Sequence, residues 1–240
     1  MRRRADAHES ALVLRNWIAP VTLFVALLFS VSCGRPPAEP PGTVTFLIET
    51  MPANLDPRIA TDAQSQRLDG LLFSSLVERD PSMNLQGDLA ERWENPDPLT
   101  YIFHLRQGVH FHDGRVLTAA DVKFTFDSIL SGSIQTPKRG SFRMVKAIET
   151  PDPLTVIFHL FEPYASFPWS LARPAIGIVP AGSSSDFAQH PTGTGPFQFE
   201  SMRQDDEIVV ARNATYFRTP RGYRCQAVPA ASRNWPEPKR

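Results

Sequence analysis

Two segments of the chain share one alternation of apolar and polar residues, PDPLTYIFHL at 96–105 and PDPLTVIFHL at 151–160. Pro-Asp-Pro restricts two backbone φ angles and removes two hydrogen-bond donors, which favours a sharp turn before each strand. The period of two then places an apolar row on one strand face, with His104 and His159 on the other. These rows are Tyr101, Phe103 and Leu105 in the first copy and Val156, Phe158 and Leu160 in the second. The pattern predicts two similar hairpins in one sheet.

The remaining apolar positions predict both helices and strands. Alternation over 43–50 predicts a strand, and leucines at 68, 71, 72 and 76 predict a helix beginning near Asp62 with these leucines on one face. Thr118 and Asp121 have the spacing of a capping box, and apolar residues after them predict a second helix. A strand over 175–180 and a hairpin over 191–213 complete the pattern.

The N-terminus has the order of an export signal. MRRR supplies positive charge, and the apolar run at 17–32 is shorter than the ~20 residues of a spanning helix. Cys33 follows small Ser32, as in lipoprotein signals, so we expect lipid attachment at Cys33; an uncleaved anchor and a chance cysteine are the alternatives. The Pro-rich linker at 34–42 would be an extended tether. Cys225 is the only other cysteine in the sequence. A lipid on Cys33 would leave Cys225 without a partner, so no disulfide is expected.

Composition narrows the class of protein. The 240 residues include 25 basic and 25 acidic side chains, so the formal charge is zero and gives no reason to expect nucleic acid binding. A hydrophobic content of 42% is enough for one substantial core or two small ones.

Several motifs occur in an order that resembles a known family. They are LDP (55–57), LAERW (89–93), FHLRQGVHFHDG (103–114), LTAADVKFTFDSIL (117–130), PTGTGPF (191–197) and NATYF (213–217). This order resembles the extracytoplasmic solute-binding proteins, family 5, of the peptide, opine and nickel class, which serve ABC importers. The resemblance runs from about Thr43 to about Arg221.

The resemblance implies a mixed α/β fold, a periplasmic-binding-protein-like type II lobe with an added hairpin-rich subdomain. The base lobe would comprise 43–70 and 181–221, and the inserted subdomain 71–180. Relatives continue through a second lobe, so this lobe is expected to be missing here. The tail at 222–240 is expected to be unstructured, or to result from a reading-frame change near 221–224.

The resemblance also implies a function. It indicates a binding protein without enzymatic activity or cofactor, monomeric, on the periplasmic or cell-surface side of the cytoplasmic membrane, with the outer membrane as another possible location. There it would capture an oligopeptide or similar small solute and present it to ABC permease subunits. One alternative is a non-binding truncated remnant of such a protein. The second alternative is a variant that binds nickel or another metal.

Two short segments are candidates for ligand contact. Thr61, Asp62 and Ala63 match the region that faces the ligand in relatives, although Asp62 is also a good helix N-cap. Thr192, Gly193 and Thr194 lie in a glycine-rich turn, which lacks the Gly-Lys-Ser/Thr ending of a phosphate loop. Both segments are interpreted as parts of the base lobe near the cleft.

The histidines raise the question of a metal site. The histidines at 104, 110 and 112, with Asp113 adjacent and His159 in the second repeat, are residue types that bind transition metals. The alternation of apolar and polar residues around them is that of ordinary strands. We therefore expect no metal site.

Overall fold

A computed structural model describes residues 50–172, 176–184, 186–203 and 207–218. All of the described residues belong to one compact unit, which lies within 42–240. The signal segment, Cys33, the linker at 34–42, residues 43–49 of the predicted strand and the tail at 222–240 all lie outside the described residues.

The two repeated segments form the hairpins that the alternation predicts. The strands are β3 (Ala90–Asp97), β4 (Thr100–Leu105), β5 (Val145–Asp152) and β6 (Thr155–Leu160). They make one antiparallel sheet in the order β3-β4-β6-β5, so the two copies pair with each other at its centre. The prediction of two similar hairpins in one sheet is confirmed.

The central pairing gives the sheet a local twofold symmetry. Ile102 pairs with Ile157, its counterpart in the other copy. The Leu105 N–H donates to the Leu154 carbonyl oxygen at 2.7 Å, and the Leu160 N–H donates to the equivalent Leu99 oxygen at 2.8 Å. Since the two copies differ only at Tyr101 and Val156 and meet in antiparallel register, the backbone pairing on one side of the axis recurs on the other.

The apolar face of this sheet packs against helix α2 (Ala119–Leu130). The Phe158 ring lies 5.7 Å from the Phe103 centroid, 5.2 Å from Phe126 of α2 and 5.2 Å from Phe167. The steep angles between these rings are the edge-to-face arrangement that aromatic pairs favour. This aromatic cluster forms the centre of the core.

The predicted capping box begins α2. The Thr118 N–H donates to Asp121 Oδ2 at 2.8 Å, and the Thr118 hydroxyl donates to the same oxygen at 2.9 Å. The second Asp121 oxygen accepts the Ala181 N–H at 2.8 Å, which links the helix start to a distant part of the chain.

Helix α1 (Ala63–Leu72) begins where the leucine spacing predicts, after Asp62. Leu68 and Leu72 are buried, whereas Leu71 is half-buried. Leu76 is also buried but lies beyond the helix, so its assignment to one helical face with the other leucines was wrong.

The remaining elements are short. They are β1 (Val77–Arg79), β2 (Leu85–Gly87), α3 (Phe167–Ser170), and the 3₁₀ helices Pro137–Phe142 and Phe187–Gln189. The predicted hairpin near the end of the described chain is confirmed as β7 (Phe197–Arg203) paired with β8 (Glu207–Arg212). None of the helices within the described ranges is long and apolar enough to cross a membrane.

The strand predicted over 175–180 is wrong for the described part, 176–180, which is not a strand. Its Ile178 N–H donates to the Ser74 carbonyl oxygen at 3.0 Å, and its Val179 N–H donates to the Thr125 hydroxyl at 3.1 Å. The apolar segment therefore packs beside a loop and a helix side chain, and not along another strand.

Phe158→Ala tests the assignment of strand faces, with His159→Ala as its neighbouring control. Removing the buried Phe158 ring should lower the free energy of unfolding by about 3–5 kcal/mol. His159 lies on the opposite, more exposed face, and its loss should change the stability by less than about 0.5 kcal/mol. Urea denaturation of both variants measures the difference. Equal losses would contradict the assignment.

Candidate functional site

A buried ion pair lies in the segment that leads into α1. Arg58 donates to the Asp56 carboxylate through Nε at 3.0 Å and through Nη2 at 2.7 Å. The Arg58 guanidinium also lies 5.8 Å from the Phe124 ring centroid and 5.5 Å from that of Phe187. A two-pronged hydrogen-bonded pair covered by aromatic rings is an arrangement in which a buried arginine is stabilised.

The 3₁₀ helix Pro137–Phe142 and the residue before it hold this segment from the other side. Lys138 Nζ donates to the Pro57 carbonyl oxygen at 2.6 Å, and the Thr136 hydroxyl donates to the Arg58 carbonyl oxygen at 2.6 Å. Two parts of the chain about eighty residues apart are thus joined by one buried and one partly buried hydrogen bond.

A cleft of about 590 Å³ opens between the start of α1, the 3₁₀ helix Pro137–Phe142 and the connection after β6. Its polar and aromatic lining includes Thr61, Gln66, Lys138, Arg143, Glu162 and Tyr164. This volume is within the usual range for small-molecule sites. A smaller depression of about 400 Å³ lies on the outer face of α2 and contains none of the predicted contact residues.

Asp69 of α1 is a buried acid near this cleft. Within the described residues, neither of its carboxylate oxygens has a hydrogen-bond partner. Burial raises the pKa of Asp69 to about 8, an effect that the Lys138 charge opposes and that the Asp56 and Asp62 carboxylates reinforce. Burial also lowers the pKa of Lys138, while the charges of Asp69 and Asp56 act in the opposite direction. The raised pKa favours the protonated form of Asp69 at neutral pH.

The first predicted contact segment lies at the mouth of the cleft. Thr61 is exposed and lines it. Asp62 is the N-cap of α1, with its carboxylate accepting the Ser65 N–H at 2.9 Å and the Ser65 hydroxyl at 2.5 Å. Ala63 is exposed as the first residue of the helix. The capping role of Asp62 is confirmed, and ligand contact by the three residues stays a prediction.

The second predicted segment lies at the opposite end of α1. The Gly195 N–H donates to the carbonyl oxygen of Leu72, the last residue of α1, at 2.9 Å. Ten helical residues span about 15 Å, so the structure does not bring this turn together with Thr61. Gly193 and Thr194 are buried and Thr192 is half-buried. Their assignment to ligand binding stays a prediction.

His112 fastens this turn to the rest of the fold. Its backbone N–H donates to the Gly193 carbonyl oxygen at 2.8 Å. Its ring accepts the Gly193 N–H at Nδ1 at 3.2 Å and donates from Nε2 to the Gly195 oxygen at 3.1 Å. This pattern requires the neutral ring, and burial lowers the pKa of His112 accordingly. His112 has a structural role here.

Two of the other histidines, His104 and His159, occupy equivalent positions in the two repeated strands. His104 Nε2 lies 2.7 Å from Glu94 Oε1, and His159 Nε2 lies 3.2 Å from the equivalent Glu149 oxygen. His110 Nδ1 contacts the Gly108 carbonyl oxygen at 2.8 Å. Throughout the described ranges, no group of three or more His, Cys, Asp or Glu side chains could hold a metal ion.

The sequence patterns did not single out Asp69, Lys138 or Arg143 as functional. Asp69 had a detectable signal, since residues 65, 68, 69 and 72 have the spacing of one buried helical face and an acid on that face is unusual. Thr136-Pro137 indicates the start of a helical turn, which places Lys138 near its beginning. Nothing local indicates the contact of Lys138 with Pro57.

Comparison with known families bears on this geometry. The sequence profile described as "Bacterial extracellular solute-binding proteins, family 5 Middle" matches residues 84–228, more than half of the chain. The chain belongs to this family. The motifs from which the resemblance was inferred fall largely within the matched range, and the family assignment made from them is confirmed.

Individual relatives of this family-5 chain are binding proteins. The glutathione-binding protein GsiB of Pectobacterium atrosepticum is 28% identical over 211 residues, covering 86% of this chain and 40% of the relative. GsiB of Salmonella typhi is 30% identical with the same coverage. The chain thus spans 40% of the length of these curated relatives.

Solved structures confirm the mixed α/β fold of periplasmic binding proteins. AgaA from A. tumefaciens R10, in complex with agropinic acid, has a TM-score of 0.66 at 31% identity, covering 71% of this chain and 35% of AgaA. AppA from Bacillus subtilis, in complex with a nonapeptide, has a TM-score of 0.66 at 29% identity, covering 70% of this chain and 36% of AppA. NikZ from Campylobacter jejuni, in complex with Ni(L-His), has a TM-score of 0.67 at 29% identity, covering 75% of this chain and 37% of NikZ.

Gly193→Ala tests the packing of the glycine turn on α1. A Cβ at Gly193 would lie 1.9 Å from the Leu72 carbonyl oxygen and 2.7 Å from Phe73 Cδ1, so the turn must shift. We expect a loss of about 1–3 kcal/mol in thermal or urea denaturation. Gly70→Ala is the control, because Gly70 lies in the last turn of α1 and a Cβ there meets nothing within 4 Å. It should stabilise the protein by up to about 1 kcal/mol. A silent Gly193→Ala would contradict this packing.

Asp69 should make the stability depend on pH. Its pKa of about 8 in the folded protein exceeds the value of about 3.9 expected when unfolded. The folded state then binds more protons between these values, so the free energy of unfolding should fall as the pH rises from 4 toward 8. Urea denaturation at pH 5, 6 and 7 should show a shallower fall for Asp69→Asn than for the wild type. Parallel curves would contradict the raised pKa.

Proposed function

We propose that this chain is a solute-binding component of an ABC importer, which captures a peptide or similar small solute outside the cytoplasm and presents it to the permease. The observation that carries this proposal is the polar cleft at the start of α1, on a family-5 fold. The names of the relatives support a peptide or similar small solute, since they include glutathione, a nonapeptide and agropinic acid.

The lining of the cleft fits a solute with charges of both signs. Lys138 and Arg143 supply positive charge and Glu162 supplies negative charge, while Tyr164 adds an aromatic surface. A peptide carries a carboxylate, an amine and backbone groups, and extended peptides pair readily with exposed backbone. Thr61, at the end of the segment held by Lys138 and Thr136, is the described residue we assign to such contact.

The fold division and the membrane attachment are parts of the same proposal. Residues 43–70 and 181–221 form the base lobe, and 71–180 form the inserted subdomain with the repeated hairpins. Cys33 carries a lipid, and the linker at 34–42 separates the folded part from the membrane. Solute binding favours a closed conformation, and the permease recognises that conformation.

Thermal denaturation of the full chain with a solute panel tests the proposal. The panel contains trialanine, glutathione and Ni(L-His). A solute at about one hundred times its Kd stabilises the folded state by about 2.7 kcal/mol. For a chain of this size, we expect trialanine or glutathione to raise the Tm by about 5–10 °C.

A matched pair of substitutions places the binding in the cleft. Ser141 is exposed and lines the cleft, so Ser141→Trp should fill it and abolish the Tm increase. Ser82 is exposed in a turn outside the cleft, and Ser82→Trp should bind as the wild type does. A panel without any Tm increase would favour the non-binding remnant. An increase with Ni(L-His) alone would favour the metal variant. Normal binding by Ser141→Trp would place the site elsewhere.

A further inference from the structure

We propose that Lys138 and Arg143 form an anion subsite in this cleft, which selects solutes that carry a free carboxylate. The inference rests on the proposed function and names the chemical class of solute and the residues that recognise it. Lys138 and Arg143 belong to one short stretch of chain, and both line the same cleft.

Lys138 is held in place before any solute arrives. Its residue is only 8% exposed, and its Nζ donates to the Pro57 carbonyl oxygen at 2.6 Å. An ammonium group has three N–H donors, and this carbonyl group accepts one of them. Lys138 can therefore keep its bond to Pro57 while donating to a carboxylate in the cleft. Because the side chain is already ordered, binding requires little further loss of entropy.

Within the described residues, no carboxylate forms an ion pair with the Lys138 ammonium, although several charged groups surround it. They are Asp56, Arg58, Asp62 and Asp69 from the segment before α1 and from α1 itself, Arg143 from the stretch of Lys138, and Glu162 from the connection after β6. Asp56 is neutralised by Arg58, 2.7 Å away. Asp62 accepts hydrogen bonds from Ser65.

Asp69 and Asp56 are both buried acids that act electrostatically on Lys138, but only Asp69 of the two has carboxylate oxygens without a hydrogen-bond partner among the described residues. Burial raises the pKa of Asp69 to about 8, which favours its neutral form at pH 7. A buried ammonium without a counter-charge is costly, and a carboxylate from the solute would supply that charge.

This arrangement makes solute affinity depend on the proton at Asp69. When Asp69 loses its proton above about pH 8, its negative charge compensates Lys138 and repels a carboxylate in the cleft. The affinity for the carboxylate should then fall. By linkage, a bound carboxylate should also help Asp69 to keep its proton.

Isothermal titration of the full chain with trialanine and trialaninamide, at pH 7, tests the subsite. The two peptides differ in the C-terminal carboxylate. A hydrogen bond between charged groups is strong enough to give the free carboxylate about a tenfold advantage or more in Kd. Lys138→Gln should remove this advantage and leave the affinity for the amide nearly unchanged.

Arg139→Gln is the matched control. Arg139 is the next residue in the same 3₁₀ helix, is exposed, and does not line the cleft, so its loss should leave the preference intact. Because Lys138→Gln could impair folding, Arg143→Gln is the second variant. Arg143 is exposed, and its loss should weaken trialanine binding severalfold in a protein of normal Tm.

The pH dependence provides an independent readout. The wild-type affinity for trialanine should decrease between pH 7 and pH 9, whereas Asp69→Asn, whose side chain cannot ionise, should show a much smaller change. Equal affinity for both peptides in the wild type would overturn the subsite but leave the proposed function standing. A preference that survives Lys138→Gln and Arg143→Gln would also overturn the subsite. If neither peptide binds, the subsite proposal fails, and the proposed function fails with it only if glutathione also gives no Tm increase.

Discussion

The buried ion pair between Asp56 and Arg58 is the constraint on which the candidate site depends. Removing one partner of such a pair leaves an uncompensated buried charge, which typically costs about 3–5 kcal/mol. The pair fixes the turn that precedes α1, and the rings of Phe124 and Phe187 cover the guanidinium. Because this turn is rigid, the Pro57 carbonyl group can hold Lys138 and Thr61 reaches the cleft mouth.

The repeated strands could be predicted from the sequence, because the information is local. Alternation with period two determines which face of β4 and β6 is buried, and the Pro-Asp-Pro units mark the turns. The caps of α1 and α2 are also local, since Asp62 and Asp121 contact residues three positions away. The pairing of the two copies about a local twofold axis is not local, and it follows from two nearly identical sequences meeting in antiparallel register.

The site was less predictable, for a physical reason. Lys138 meets Pro57 across 81 residues, and Asp69 acquires its raised pKa from burial that the completed fold creates. The strand predicted at 175–180 failed for a similar reason, since apolar composition alone does not reveal whether the neighbour is a strand, a loop or a helix. The motif order identified the family, but the charged groups of the cleft came from tertiary contacts.

The central claim is that the cleft at the start of α1 is a solute site whose positive charge comes from Lys138 and Arg143. A crystal structure of the full chain grown with trialanine tests it most directly. The account predicts peptide density in the cleft beside Thr61, with the terminal carboxylate within hydrogen-bond distance of Lys138 Nζ. Peptide bound outside this cleft, or in it with the carboxylate directed away from Lys138 and Arg143, would contradict the account.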